Sequence, residues 1–228
     1  MAVKIEKYKK TRRKAVKSSA KKQAIVKAAE KVFGQKGFHQ TPLSEIAKEA
    51  HISESTIYEY FSTKEELLFS IPAETIREYL NKNQEVLPYI RSAEDKLRSL
   101  IHSHLNLYTN NSDYAKVVML NLKNNRNFLK TDAYKLVQAS ARVTTQVIEE
   151  GIKNGEFRSN QQPHLVRAMI WGTIEHLVTR RSLLGKPDDL MSLADDITDT
   201  LLHGIMAPEK KPLLNVHVTV EHKNGNDM

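Results

Sequence analysis

The chain has 228 residues, and its 40% share of hydrophobic residues is enough to bury a core. It carries a net charge of +8 and no cysteine, which excludes disulfides, thiolate-ligated zinc and cysteine nucleophiles. No uncharged apolar run is long enough to span a membrane, and the N-terminus is too charged for a secretory signal. We therefore expect a soluble, cytoplasmic, globular protein with no membrane partner.

The positive charge is concentrated at one end of the chain. Residues 1–64 contain 15 Lys and Arg against 6 Asp and Glu, whereas residues 65–228 contain 20 against 21. The start of the chain holds too many like charges for a stable packed helix, so residues 1–18 are predicted to form a flexible basic arm. Such a run is usually only a solvated tail. A basic run of this kind can also bind the phosphates of a nucleic acid.

A helix-turn-helix pattern follows this arm. Apolar residues at helical spacing and a stop at Gly37 predict a first helix over roughly 19–36. A short second helix is predicted over 42–50, because Pro42 suits a first helical turn. After a tight turn, Ser53 is expected to cap a third helix.

Long amphipathic windows continue along the rest of the chain. They cover 64–86, 93–110, 113–122, 131–154, 163–184 and 188–205. We therefore predict an all-α protein of about nine helices. After Pro208, Val216, Val218 and Val220 alternate with polar residues, so a short strand is an alternative there to a frayed terminus.

The segment from Ile25 to Leu68 carries an ordered set of motifs. They are Ala28-Ala29, Phe33, Lys36-Gly37-Phe38, Ile46-Ala47, Ser53, Thr56-Ile57-Tyr58, Tyr60-Phe61 and Lys64-Glu65-Glu66-Leu67. In this order they resemble the N-terminal domain of TetR-family transcriptional regulators. The resemblance implies a helix-turn-helix DNA-binding domain at 19–66, an effector-binding and dimerisation domain at 67–206, and a tail at 207–228.

A helix that reads base edges in the major groove needs small or hydroxyl-bearing residues on its outer side. The DNA contacts implied by the resemblance, together with two lysines of the basic segment, fall on eleven residues. They are Thr41, Ser44, Ser53, Glu54, Ser55, Thr56, Tyr58, Tyr60, Lys64, Lys21 and Lys22. Of these, Tyr58, Tyr60 and Lys64 are predicted to contact phosphates.

The sequence departs from the family pattern at two kinds of position. His51 stands in the turn where the family has glycine, which a non-glycine residue can replace at a modest steric cost. Glu54 and Glu59 place carboxylates on a helix that faces a polyanion. Glu54 could accept a hydrogen bond from a cytosine amino group. Alternatively, Glu54 favours the helix dipole and Glu59 points away from DNA.

The resemblance also implies a homodimer, since one helix-turn-helix reads a half-site and a two-fold dimer reads a pseudo-palindromic operator. Its interface is expected on the last two long helices. The predicted interface residues are Leu165, Met169, Gly172, Leu177, Leu193, Ile197 and Leu201.

The segment 170–180 further resembles TetR-family regulators of fatty-acid degradation that respond to acyl-CoA. Such an effector needs an apolar tunnel and basic side chains near its mouth. The apolar candidates are Tyr108, Val118, Met119, Leu122, Tyr134 and Trp171. The basic candidates are Arg126, Lys130 and Arg180. For each of these residues, an ordinary core or surface role is the competing interpretation.

We predict a ligand-responsive repressor that an effector releases from DNA. Three alternatives stay open from the sequence: a repressor sensing aromatic or cationic compounds, a sequence-tolerant structural DNA-binding protein, and a helical enzyme. No nucleotide-binding glycine loop, zinc-protease motif or nucleophile elbow is present, so neither enzyme activity nor a cofactor is predicted. His102 and His104 lie two apart on a predicted helix, so they diverge and are poor shared metal ligands.

Overall fold

The computed structural model describes the backbone of residues 2–206 and the side chains of residues 18–206. Nine α-helices lie in this range: α1 Ala2–Lys36, α2 Leu43–Glu49, α3 Glu54–Tyr58, α4 Lys64–Val86, α5 Ala93–Asn110, α6 Ser112–Val117, α7 Asp132–Lys153, α8 Pro163–Leu184 and α9 Ala194–Ile205. The predicted all-α fold is confirmed. The tail at 207–228, with its alternative strand, lies outside the described residues.

Short irregular segments join or extend several of these helices. They are 3-10 turns at Leu87–Tyr89, Phe128–Lys130 and Met191–Leu193, and a π-helical turn at Val118–Leu122 that continues α6. Within residues 2–206, β pairing is limited to one isolated antiparallel bridge, between Phe157 and Met206.

The first helix is longer than predicted. It begins at Ala2 and not near Ser19, so the backbone of the basic segment continues α1. Residues 2–18 contain no glycine or proline and are rich in Ala, Lys and Arg, which are strong helix formers. This propensity outweighs the like-charge repulsion on which the predicted start depends.

The last predicted helix is shorter than its window of 188–205. The 3-10 turn at Met191–Leu193 comes first, and α9 begins only at Ala194. The Asp189 carboxylate accepts the N–H of Met191 at 2.8 Å. Side-chain acceptors of this kind compete with helical hydrogen bonds, which explains the later start.

One continuous hydrophobic core joins the N-terminal helices to the rest of the molecule. It runs from Ile25 in α1 through Ile57 and Phe61 to Ile205 in α9. Helices α2 and α3 have 7 and 5 residues, which is too short for an isolated helix to be stable in water. Helix α2 therefore depends on packing against α1, and α3 depends on packing against α2. Helix α1 in turn packs on α4 and α6.

Gly34 lies at a close contact between α1 and α6. A Cβ atom at this position would lie 2.6 Å from Cβ and 2.7 Å from Cα of Asp113, so a larger residue could fit only if α6 moved. Beyond α6, Met119 and Leu122 of the π-helical turn are buried in the core of the larger domain. The continuous segment of α6 and the π-helical turn thus contacts α1 through Asp113 and the interior of the larger domain through Met119 and Leu122.

Candidate DNA-binding surface and effector cavity

The turn between α2 and α3 forms a Schellman motif. The N–H of Ile52 donates to the carbonyl of Ala47 at 3.0 Å, and the N–H of His51 donates to the carbonyl of Lys48 at 3.2 Å. His51 has a φ of 54°, in the left-handed region that glycine occupies most easily. The two bonds end α2 at a fixed angle and so set the direction in which α3 starts.

Hydroxyl groups cluster at the N-terminus of α3, the predicted recognition helix. Ser53 caps this helix by accepting the N–H of Thr56 at 3.3 Å. Its oxygen also lies 2.8 Å from the Ser55 hydroxyl and 2.9 Å from the Thr56 hydroxyl. Behind them, Ile57 is 1% exposed and anchors the helix to the core. The arrangement presents small donors and acceptors outward on a short, packed helix, as major-groove contact requires.

Exposure separates the predicted contact residues into two groups. Tyr58 keeps 55% of its surface exposed. The others that are exposed or half-buried are Lys21, Lys22, Ser44, Ser53, Glu54, Ser55, Thr56, Tyr60 and Lys64. Thr41, in contrast, is 1% exposed, and its hydroxyl donates to the carbonyl of Gly37 at 2.8 Å. This hydroxyl closes the chain after α1, and the DNA contact of Thr41 stays a prediction that its burial does not support.

Two lysines lie over aromatic rings beside the recognition helix. Lys22 Nζ is 5.2 Å from the centre of the Phe61 ring, and Lys64 Nζ is 4.6 Å from the centre of the Phe38 ring. Desolvation lowers the pKa of Lys64 from its ordinary value. Ring contacts hold both ammonium groups without neutralising them, so each keeps the charge that a phosphate would bind.

The acidic residues of α2 and α3 differ in their partners. On α2, Glu49 pairs with Lys31 and Glu45 pairs with Lys36, both at 2.6 Å, so α1 neutralises these carboxylates. On α3, Glu54 and Glu59 are exposed. Both interpretations of Glu54, as a base contact and as a helix-dipole partner, stay predictions.

A cavity of about 300 Å³ lies within the larger domain, between α4, α5, α7, α8 and the π-helical turn. Its wall is mainly aromatic and aliphatic. Six of the predicted apolar candidates line it: Tyr108, Val118, Met119, Leu122, Tyr134 and Trp171. These six residues come from four separate elements and meet around one space.

Aromatic side chains surround a buried histidine on the cavity wall. The ring of His104 lies 4.2 Å from that of Trp171 and 5.0 Å from that of Tyr108, between ring centres. Burial lowers the pKa of His104 to about 4, so the imidazole is neutral at pH 7. The ring of Tyr79 lies 5.7 Å from that of His104, and burial raises the pKa of Tyr79 to about 12, although the neighbouring Asn83 opposes the shift. The wall is therefore uncharged on this side.

The charged residues on the cavity wall are not the ones predicted. Lys123 and Glu175 line it and form an ion pair with each other, whereas Arg126, Lys130 and Arg180 are absent from the lining. Helical spacing could not reveal Lys123, because it follows the π-helical turn, where the 3.6-residue period does not hold. His104 was weighed only as a metal ligand, and its role in the wall was missed.

Two asparagines connect the cavity segment to the helix-turn-helix. Asn121, in the π-helical turn, accepts the N–H of Phe38 at 3.3 Å. Asn125 donates to the Glu65 carboxylate at 3.1 Å, at the start of α4. The segment that supplies Met119 and Leu122 to the cavity is thereby bonded to both ends of the DNA-binding unit.

The described side chains contain no group of three or more potential metal ligands among His, Cys, Asp and Glu. No helix in the described range is long and apolar enough to cross a membrane.

Family models match almost the whole of this architecture. Residues 25–71 match the model described as "Bacterial regulatory proteins, tetR family". Residues 73–204, more than half of the chain, match the model of the "YsiA-like protein, C-terminal region". The chain belongs to the TetR family. It is a transcriptional regulator with a helix-turn-helix DNA-binding domain and a helical ligand-binding domain, and the predicted resemblance is confirmed.

Similar proteins include regulators of fatty-acid metabolism. The fatty acid metabolism regulator protein of Bacillus subtilis is 30% identical over 181 residues, which cover 79% of this chain and 93% of that protein. The crystal structure of the FadR regulator from Bacillus subtilis with stearoyl-CoA has a TM-score of 0.74 at 29% identity, over 80% of this chain and 98% of that one. FadR from Bacillus halodurans has a TM-score of 0.73 at 27% identity, over 80% of this chain and 94% of that one.

In this TetR-family regulator, α8 is apolar on two opposite sides. Val166, Ile170 and other residues of its inner face are buried, whereas on the outer face Leu165 and Met169 are 55% and 57% exposed. Gly172 on the outer face has open space around it. The remaining predicted interface residues, Leu177, Leu193, Ile197 and Leu201, are half-buried. A helix that is apolar on two opposite sides is stabilised when both are buried, and the described part of one protomer covers only the inner side.

Proposed function

We propose that this TetR-family regulator is a cytoplasmic, non-enzymatic repressor that binds a palindromic operator as a homodimer and is released by a fatty acyl-CoA. The observation that carries the proposal is the apolar cavity of the larger domain, in a chain similar to a regulator solved with stearoyl-CoA. Its volume of about 300 Å³ lies within the range of small-molecule sites.

The cavity wall favours an acyl chain over an aromatic cation. Rings and aliphatic groups dominate the lining, and His104 is held neutral by burial. The carboxylate of Glu175, which could attract a cation, already pairs with Lys123. An aromatic cation would have to break that pair, whereas an acyl chain would leave it intact.

The proposed mechanism is a population shift between a DNA-binding state and a released state. An effector in contact with Met119 and Leu122 favours one arrangement of the π-helical turn. The bonds from Asn121 to Phe38 and from Asn125 to Glu65 pass that preference to the helix-turn-helix. Affinity for the operator then falls by the effector's preference between the two states.

Operator binding tests the DNA-binding half of the proposal. Tyr58→Ala, Tyr60→Ala and Lys64→Ala should each weaken binding about ten-fold or more in fluorescence anisotropy, because each removes a phosphate contact. Tyr89→Ala, at a strongly exposed tyrosine outside the helix-turn-helix, is the matched control. Unchanged affinity in all three variants would refute the assignment.

The salt dependence separates two roles of Lys64. If its ammonium group contacts a phosphate, Lys64→Gln should lower the slope of log affinity against log salt by about 0.9. If the lysine only covers the Phe38 ring, the melting temperature should fall and the slope should stay constant.

Cavity blocking tests the effector half of the proposal. Ala141 lines the cavity on α7, so Ala141→Trp should fill the space, keep operator affinity and abolish release by palmitoyl-CoA. Gln138→Trp places the same side chain at an exposed position of the same helix and should respond normally. Palmitoyl-CoA without effect on operator binding by the unaltered protein would contradict the proposal.

A further inference from the structure

A second, smaller pocket lies beside the effector cavity. It measures about 130 Å³ and is formed by the end of α5, by α6 and by the C-terminal part of α8. Tyr108 belongs to its lining and also to the lining of the effector cavity, so one aromatic ring separates the two spaces.

The pocket holds two cations and no anion. Lys116 on α6 and Arg181 on α8 both line it, and the described residues contribute no carboxylate to its wall. Nη1 of Arg181 is fully buried and lacks a hydrogen-bond partner among the described residues. The nearby Ser182 hydroxyl donates to the carbonyl of Val178 at 2.8 Å and supplies no charge.

The two positive charges and the unpartnered donor of Arg181 favour an anionic ligand in this pocket. A buried guanidinium N–H without a partner costs free energy, and a second cation on the wall of the same pocket leaves its positive charge without a counter-charge there. A water molecule could accept the hydrogen bond but could not offset either charge. The volume corresponds to about four water molecules, which suits one small polyatomic anion.

We propose that Lys116 and Arg181 form a binding site for a phosphate-type anion next to the effector cavity. Guanidinium groups bind phosphate oxygens in pairs, and an ammonium group adds a point charge that carboxylate recognition does not require. The anion is either free phosphate or a phosphate group of the effector. The second source rests on the proposed function, because it requires an acyl-CoA whose chain lies across Tyr108.

Pyrophosphate is the probe for the first experiment. Binding is measured by isothermal titration calorimetry with the full-length protein at constant ionic strength. The unaltered protein should bind pyrophosphate, and Arg181→Gln and Lys116→Gln should each weaken binding roughly 10- to 100-fold, because each removes a charge-assisted contact. Having two variants on two helices protects the test against misfolding of one.

Arg180→Gln is the matched control. Arg180 is the exposed neighbour of Arg181 on α8 and lies outside the pocket lining. It should bind pyrophosphate like the unaltered protein. No pyrophosphate binding by the unaltered protein, or an equal loss in Arg180→Gln and Arg181→Gln, would overturn the site.

Competition identifies the source of the anion. If palmitoyl-CoA displaces pyrophosphate and the uncharged thioester S-palmitoyl-N-acetylcysteamine does not, the pocket holds a phosphate of the effector. If pyrophosphate binds without competition, the pocket takes a free phosphate. If palmitoyl-CoA does not bind at all, the proposed function fails while the pyrophosphate result still decides the anion site.

Discussion

The DNA-binding surface and the effector cavity are built in opposite ways. The surface is open, hydroxyl-rich and carried by helices of 7 and 5 residues that follow each other in the chain. The cavity is concave, lined mainly by aromatic and aliphatic side chains, and formed by long helices together with one π-helical turn. The short helices of the surface thus have little stability of their own. They are stabilised by packing on the rest of the molecule, and the cavity lies within the larger domain. We therefore expect a substitution inside the larger domain to alter the stability of the DNA-binding surface as well.

The largest expected effect tests whether the two regions share one core. Ile57→Ala in α3 and Ile174→Ala in α8 remove the same atoms from sites that are 1% and 0% exposed. Each should lower the free energy of unfolding by about 2–5 kcal/mol. Trp171 is the single tryptophan and lies in the cavity wall, so its fluorescence during denaturation reports on the larger domain.

With one shared core, Ile57→Ala shifts the Trp171 transition as well as the transition in circular dichroism. A separate early loss of helix, with the Trp171 transition unchanged, would show that the DNA-binding unit unfolds independently.

The next effect concerns the exposed apolar face of α8, which we propose packs against a second protomer. Leu165→Glu combined with Met169→Glu places two charges on the exposed face and should raise the dimer dissociation constant about 100-fold, close to 3 kcal/mol. Sedimentation velocity measures this change. Val86→Glu, at an exposed valine outside that face, should stay dimeric, and a dimer that persists in the double variant would place the interface elsewhere.

A smaller effect depends on pH at the junction of α1 and α6. Burial, and second the charge of Asp113, raise the pKa of Glu30 from 4.5 to about 7. The folded state favours the protonated form of Glu30. The contribution of Glu30 to the free energy of unfolding is therefore greatest below about pH 4.5 and is lost as the pH rises to about 7.

At pH 8, Glu30→Gln should therefore be more stable than the unaltered protein by roughly 1–2 kcal/mol, a value reduced for partial solvent screening. Urea denaturation at pH 5 and pH 8 measures the difference. Asp113→Asn should recover part of this gain, and a Glu30→Gln variant with the original pH dependence would disprove the assignment.

The smallest effect lies in the turn of the DNA-binding unit. His51→Gly removes the cost of a left-handed histidine and increases the freedom of the unfolded chain, so the net gain should not exceed about 1 kcal/mol. Lys48→Gly is the control, because Lys48 lies in the last turn of α2 and its backbone is not strained. This variant should lower the free energy of unfolding by about 1 kcal/mol. Thermal unfolding compares them, and a destabilised His51→Gly would mean that the imidazole makes a contact of its own.

The two regions also differ in how far the sequence predicts them. Local signals placed α2, the turn and the Ser53 cap, because each depends on residues within one or two helical turns. The candidates on regular helices, such as Tyr108 and Trp171, lie in the cavity wall, and their contact with an effector stays a prediction. Lys123 and Glu175 could not be paired from sequence, since 52 positions separate them and the π-helical turn changes the direction of Lys123. The burial of Thr41 could not be predicted from the sequence, because it depends on how the chain folds back after Gly37.

The contact between Gly34 and Asp113 limits how this regulator can be recombined with others. Grafting residues 1–66 onto a different effector domain would place α1 against an unrelated α6. The graft would pack only if the α6 of the new domain lay at the same distance from Gly34 as Asp113 does here. Gly34 has no side chain that could fill a gap or adjust to a clash. Functional chimeras should therefore need α6 exchanged together with α1, although the two helices lie far apart in the sequence.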